Sequence, residues 1–173
     1  MATSLPKSMR AQQWVTTING IENDISLNPS AELPKNASSL PKDSTLVKVA
    51  YTTINPVDFK VPEMTLTRTF AFTKPAIPCL DFSGTVVSTT RSDLKAGDKV
   101  FGKTEPPVFG ALGEYVVVGP KGCVKLPDGV SMKEAAGLGV CGLTAYQTLV
   151  PFVKSGMKVF VNGGSGGVGT FTI

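Results

Sequence analysis

Residues 159–169 read Val-Phe-Val-Asn-Gly-Gly-Ser-Gly-Gly-Val-Gly, and their glycines spell more than one motif. Gly163, Ser165 and Gly167 fit the G-x-S-x-G elbow that presents a serine nucleophile, whereas Gly164, Gly166 and Gly169 fit the G-x-G-x-x-G loop that cradles a dinucleotide pyrophosphate. A triphosphate-binding P-loop is excluded at once. It needs a lysine after its closing glycine, and Thr170 and Phe171 stand there instead.

Composition weighs the two remaining readings. The 173-residue chain has no histidine. A serine hydroxyl is a weak nucleophile without an adjacent base, almost always imidazole, so the elbow reading of Ser165 retains only a Ser-Lys variant. A His-Glu-x-x-His zinc site and an imidazole general acid are also ruled out. Phosphate binding by backbone N–H groups at a helix start needs no titratable side chain and survives.

With 42% hydrophobic and 17% charged residues, the chain reads as globular and long enough for one full domain and part of a second. Its net charge of +4 arises from 17 basic against 13 acidic residues. No basic run is interleaved with aromatics, so no nucleic-acid partner is expected. Cys79, Cys123 and Cys141 are odd in number and far apart, which argues against a disulfide framework and for a reducing compartment. The expected location is the cytoplasm, with an organelle as the alternative. No run approaches the roughly 20 apolar residues of a membrane span, and the opening MATSLPKSMR lacks the apolar core of a secretory signal. Asn36-Ala37-Ser38 is a glycosylation sequon in spelling only.

The first 127 residues read as β structure. Residues 12–27 hold two polar/apolar runs joined at Asn19-Gly20, a dipeptide that suits a tight hairpin turn. TLVKVAYTTIN (45–55), SGTVVST (83–89), DKVFG (98–102), GEYVVVG (113–119) and CVKLP (123–127) are further strand candidates, most of them bounded by Gly or Pro. Many short strands between turn signals predict a barrel or sandwich. After Pro127, Ser131-Met132-Lys133-Glu134 spells a capping box that starts a helix. The apolar run MKVFVN (157–162) is then expected to be a strand leading straight into the glycine loop. Within that loop Gly164 is assigned to the tight turn, Gly166 to close approach of a pyrophosphate and Gly169 to close helix packing against the strand.

INPVDFK (54–60), PAIPCLDFSGTVV (75–87), GDKVFG (97–102), GALGEYVVV (110–118), KLPDGVSMKEAAGLGVCGLTAYQTL (125–149) and the glycine loop occur in one order. Together they resemble the N-terminal half of the medium-chain dehydrogenase/reductase superfamily, in its zinc-free quinone oxidoreductase or enoyl (alkenal) reductase branch. The resemblance implies a mainly β, GroES-like barrel as catalytic domain over residues 1–127. Residues 128–173 would then be the first strand and glycine loop of a truncated α/β Rossmann domain that binds NAD(P). Zinc-dependent members carry Gly-His-Glu before the strand that here reads FSGTVV, whereas this chain has Leu80 and Asp81 in the His-Glu places. The early ligand cysteine and the four-cysteine structural loop are missing too, so Cys79 is expected to be a small buried residue and no metal is expected.

In that branch the implied chemistry is hydride transfer from NADPH to a quinone or an activated alkene, with the protein orienting and polarising the substrate. The matched cleft residues are Asn55 and Asp58, with Thr144 on the nicotinamide side and Gly164, Ser165, Gly166, Gly167, Val168 and Gly169 around the pyrophosphate. Each has a plainer reading: Asn55-Pro56 also forms turns, Asp58 also caps short helices, and Thr144 also bonds the preceding helical turn. Lys60, in the N-P-V-D-x-K pattern, is assigned to an enone carbonyl oxygen as negative charge develops on it, against the alternative of a solvated surface lysine.

The chain ends at Ile173, shortly after Gly169 and before the position that reads the ribose 2′ group. NADPH rather than NADH therefore rests on the resemblance alone, as does a homodimeric full-length form. The 173-residue chain by itself is expected to be inactive. Three other functions stay open: a non-catalytic binding or regulatory protein on the same barrel, a zinc-type alcohol dehydrogenase relative, and a serine hydrolase.

Overall fold

The computed structural model describes residues 4–105 and 108–173. Its centre is an antiparallel sheet of five strands in the order β6-β3-β4-β5-β7. These are β3 (Thr45–Thr53), β4 (Asp81–Thr89), β5 (Lys99–Lys103), β6 (Tyr115–Val118) and β7 (Cys123–Lys125). Each falls on a strand candidate of the sequence, because β-branched residues packed on a pleated, half-buried surface favour extended backbone. In β3 the residues Thr45, Leu46 and Val47 are all buried in succession. Strict alternation would expose one of them, but the register against β4 shifts between Leu46 and Val47, which brings neighbouring side chains inward. Val47, Phe82, Val86, Val100, Val116 and Val118 form the core beneath this sheet.

A second, two-stranded sheet pairs β1 (Met9–Gln13) with β2 (Ser26–Ala31). It is joined to the rest by bridges from Ala11 to Gly113 and from Trp14 to Ala76. Of the two runs expected to pair within residues 12–27 only the outer ends do so, Gln12 with Leu27 and Gln13 with Ser26, and the chain bends at residues 17–20 without a two-residue hairpin. The link between them is long and contains the helical turn α1 (Ile21–Asp24), which starts after Gly20 at φ 88°. Asn19 Nδ2 and its N–H instead donate to the Asp24 carboxylate, so local side-chain bonding, not a two-residue hairpin, organises the loop.

Between β3 and β4 lie α2 (Pro56–Glu63) and α3 (Thr65–Phe70). Beyond β7 come α4 (Met132–Ala135), a π-helical turn (Leu138–Gly142), α5 (Leu143–Leu149) and α6 (Gly167–Thr170). The capping box at α4 forms as its sequence predicts. Glu134 N–H donates to Ser131 Oγ at 3.2 Å, and Ser131 N–H donates to Glu134 Oε2 at 3.2 Å. The strand expected over residues 157–162 does not form: this segment is irregular and mostly exposed. Its apolar pattern suits burial on both faces of a parallel sheet, and no neighbouring strand among the described residues supplies the hydrogen bonds that define one.

Close strand packing leaves no room for a side chain at Gly102 of the sheet. A Cβ on Gly102 would lie 2.0 Å from the Gly122 carbonyl oxygen, whereas one on Gly119 would meet nothing within 4 Å. Gly102→Ala is therefore expected to lower stability by about 1–3 kcal/mol, with Gly119→Ala close to neutral. Urea unfolding of both variants checks this, and equal midpoints would contradict the packing described.

Candidate functional site

The chain leaves β3 at Thr53 and turns into α2 through Asn55, with Pro56 at the first helical position, where a missing N–H costs nothing. Asp58 sits in the first turn. Its Oδ2 accepts the Asn55 N–H at 2.7 Å and its Oδ1 accepts the Leu80 N–H at 3.1 Å, so one carboxylate ties the start of α2 to the start of β4. The plainer reading of Asp58, as a helix cap, is what this geometry provides. Asp58 and Asn55 are both buried.

The residue after Leu80 is Asp81, which is fully buried at 0% exposure. Its Oδ2 accepts from Asn55 Nδ2 at 2.9 Å, from the Val140 N–H at 3.1 Å and from Thr53 Oγ1 at 3.3 Å. Asn55 completes the cluster on its other side, where its Oδ1 accepts from the Cys141 thiol at 3.3 Å. The site thus joins the end of β3, the start of α2, the start of β4 and the π-helical turn. Burial raises the pKa of Asp58 to about 6, against the pull of the backbone donor at Asn55. Burial also pushes Asp81 upward, while its hydrogen bond from Asn55 pulls it back. The Cys79 thiol, buried beside both carboxylates, is pushed up to about 12, chiefly by burial and then by the charge of Asp58. It is the small buried residue that the sequence suggested.

The glycine loop reaches this cluster from the far side. Gly163 takes φ 76° and makes the turn that the sequence had assigned to Gly164; its carbonyl accepts the Gly166 N–H at 2.9 Å. Gly169 is a close-packing position as expected, but against the loop and not a strand: a Cβ there would lie 2.2 Å from the Gly163 carbonyl oxygen. Gly167 begins α6, and a Cβ on it would lie 2.7 Å from Cys141 Sγ. Ser165 is exposed and makes no side-chain hydrogen bond among the described residues. The leading N–H groups of α6, including those of Gly167, Val168 and Gly169, have no acceptor within the helix. No Asp or Glu follows Glu134 in the chain. Open N–H groups and glycine walls suit a pyrophosphate.

Two predicted residues stand apart from this cluster. Lys60 is exposed on α2 and Thr144 is exposed at the start of α5, where its carbonyl accepts from Thr148 Oγ1 at 2.9 Å. A cleft of about 550 Å³ also lies elsewhere, lined by Phe101, Leu138, Leu143, Tyr146 and Phe171. Gly139 separates the cleft from Asp81, whose Oδ1 would lie 2.3 Å from a Cβ at that position. Sequence reasoning missed Asp81 and Cys141 as members of the cluster. Only the run of small residues around Cys141 could have signalled so close an approach.

The cluster predicts a pH dependence. Unfolded Asp58 loses its proton near 3.8 and folded Asp58 near about 6, so between these values the folded state holds more protons and stability falls as pH rises. The loss is of order 3 kcal/mol and is complete above about pH 6. Asp58→Asn should flatten this part of the profile in urea unfolding across pH 4–7. An unchanged slope would contradict the assignment.

Comparison with known proteins follows the same lines. The alcohol dehydrogenase GroES-like domain family matches residues 41–128. The chain is 44% identical to trans-enoyl reductase pgmF of Aspergillus terreus, over all of this chain and 51% of that protein. It is 32% identical to the chloroplastic NADPH-dependent alkenal/one oxidoreductase of Arabidopsis thaliana, over 98% of this chain and 45% of that one. The structure of the quinone oxidoreductase from Coxiella burnetii superposes with a TM-score of 0.77 at 30% identity, covering 96% of this chain and 52% of the other. The chain spans about half the length of the curated relatives it matches. The mainly β fold, the matched domain and these relatives place the chain in the GroES-like alcohol dehydrogenase family of the medium-chain dehydrogenase/reductase superfamily.

Proposed function

We propose that the protein, in a form as long as its relatives, is an NADPH-dependent oxidoreductase that reduces quinones or activated alkenes such as enones and 2-alkenals without zinc. One observation carries this reading: the glycine loop rests on Cys141, whose thiol is bonded to Asn55, so the glycine loop and a buried polar cluster occupy one place. The names of relatives that reduce enoyl, alkenal and quinone substrates support it. On this reading residues 1–127 are the catalytic domain and residues 128–173 begin the nucleotide-binding domain. The preference for NADPH leans on the alkenal/one oxidoreductase alone. No helix of the described residues is long and apolar enough to cross a membrane, and the proposal places a homodimer in the cytoplasm or an organelle.

A nicotinamide cofactor, when bound, supplies the hydride. The chain's own part is to hold and to polarise. Gly164, Ser165, Gly166, Gly167, Val168 and Gly169 would present N–H groups to the pyrophosphate, and Thr144 would stand on the nicotinamide side. Asn55 and Asp58 would fix the turn after β3, and Lys60 would hold the substrate oxygen as it becomes negative. Ser165 Oγ is hydrogen-bonded to no base among the described residues, so nothing favours its reading as a nucleophile.

Two measurements test this reading. Lys60→Met in the full-length form should lower kcat for an enone at least about tenfold and leave NADPH affinity nearly unchanged, because the interaction is made with developing charge. An unaltered kcat would return Lys60 to the solvated surface. Elemental analysis should find no stoichiometric zinc, since the chain lacks histidine and the described residues hold no group of three His, Cys, Asp or Glu placed for a metal. About one zinc per chain would refute a metal-free mechanism.

A further inference from the structure

Asp81 has no place in the mechanism above, yet it is the most connected side chain of the site. Its Oδ2 collects donors from three separate elements: the Asn55 amide, the Val140 N–H and the Thr53 hydroxyl. Its Oδ1 is buried with no hydrogen-bond partner among the described residues and is wedged against Gly139. A carboxylate so confined cannot turn to share its load between its two oxygens. A buried, half-satisfied acceptor costs free energy, so its retention calls for a function that outweighs the cost.

The direction of the Asn55 amide supplies that function. An amide nitrogen must face an acceptor and its oxygen a donor. The Asp81 carboxylate claims the nitrogen, which turns Oδ1 toward the Cys141 thiol at 3.3 Å. At the same time the Val140 N–H bond anchors the π-helical turn at the residue next to Cys141. Cys141 Sγ is in turn the surface on which Gly167, the first residue of α6, rests. We propose that Asp81 is a positioning residue: by holding Asn55 and the Val140 N–H it fixes Cys141, and through Cys141 the floor beneath the glycine loop.

The placement of Cys141 gives a direct readout that does not depend on catalysis. Cys79 and Cys123 are buried in the core, whereas Cys141 is half-buried at the site, so alkylation by iodoacetamide with mass-spectrometric assignment separates local from global opening. In Asp81→Ala, Cys141 should react about tenfold faster, the scale expected when hydrogen bonds to a charged group are lost, while Cys79 and Cys123 stay protected. Asp81→Asn keeps an acceptor oxygen and should remain near the wild-type rate. Equal acceleration in both variants would show that Asp81 acts on the thiol only through its charge and would overturn the proposal. So would parallel exposure of all three cysteines, which marks a merely structural role, or no change at Cys141.

Should Asp81→Ala fail to fold, Asn55→Ala carries the test, because it removes the thiol's acceptor and leaves Asp81 on Val140. Faster alkylation of Cys141 alone supports the relay, and an unchanged rate overturns it. The consequence for catalysis rests on the reductase reading: in a full-length form Asp81→Ala should lower enone turnover, and Asp81→Asn should restore it. If no form of the protein reduces an enone, that reading fails while the alkylation result stands on its own.

Discussion

Asp58 and Asp81 are buried side by side, and among the described residues neither takes part in an ion pair. Charge in a low-dielectric interior is tolerated only when hydrogen bonds replace the lost water. Here the replacements are dictated by the chain's own layout: Asn55 caps α2, Leu80 donates just ahead of β4, and the π-helical turn brings Val140 within reach. Each of these elements is held at the cluster by at least one polar contact. The raised proton affinities of both carboxylates are the electrostatic sign of the same confinement.

This arrangement explains how a β domain with little room to spare presents a polar site at one end. The five-stranded sheet supplies a rigid base through Val47, Phe82 and Val100, all fully buried. The polar cluster lies at the adjoining ends of β3 and β4, where strand pairing finishes with Thr53 opposite Asp81. The helical turns after β7 then close over it, and Gly139 is the point of tightest approach. A larger residue there would press directly on Asp81. The glycine loop is connected to the β domain chiefly across this layer of small residues, so its placement depends on the cluster below it.

Much of this was legible in the sequence, and the misses have physical causes. Strands β3 to β7 were readable because β-branched runs closed by turn residues leave few alternatives, and Ser131 with Glu134 fixed the start of α4 locally. Asn19-Gly20 misled because a turn dipeptide states that the chain bends and not how many residues the bend uses. Residues 157–162 misled in another way: an apolar run describes what a strand would bury, while its hydrogen bonds must come from neighbours. Asp81 was visible only as a departure from a zinc-binding pattern. Its hub role depends on Val140 and Asn55, distant in sequence and joined only by the fold. Gly163, not Gly164, makes the turn, because either glycine accepts positive φ and the spacing alone does not choose.

On the proposed function, a histidine-free, GroES-like domain serves a metal-free reduction at the carbon end of an activated alkene. Reduction of an enone with NADPH carrying deuterium at the transferred position of C4 tests it most directly, using a form of the protein as long as its relatives and locating the label by NMR. The account predicts a saturated ketone with deuterium on the β-carbon, since the polarised oxygen accepts charge and not hydride. Deuterium on the carbonyl carbon of an allylic alcohol would contradict it.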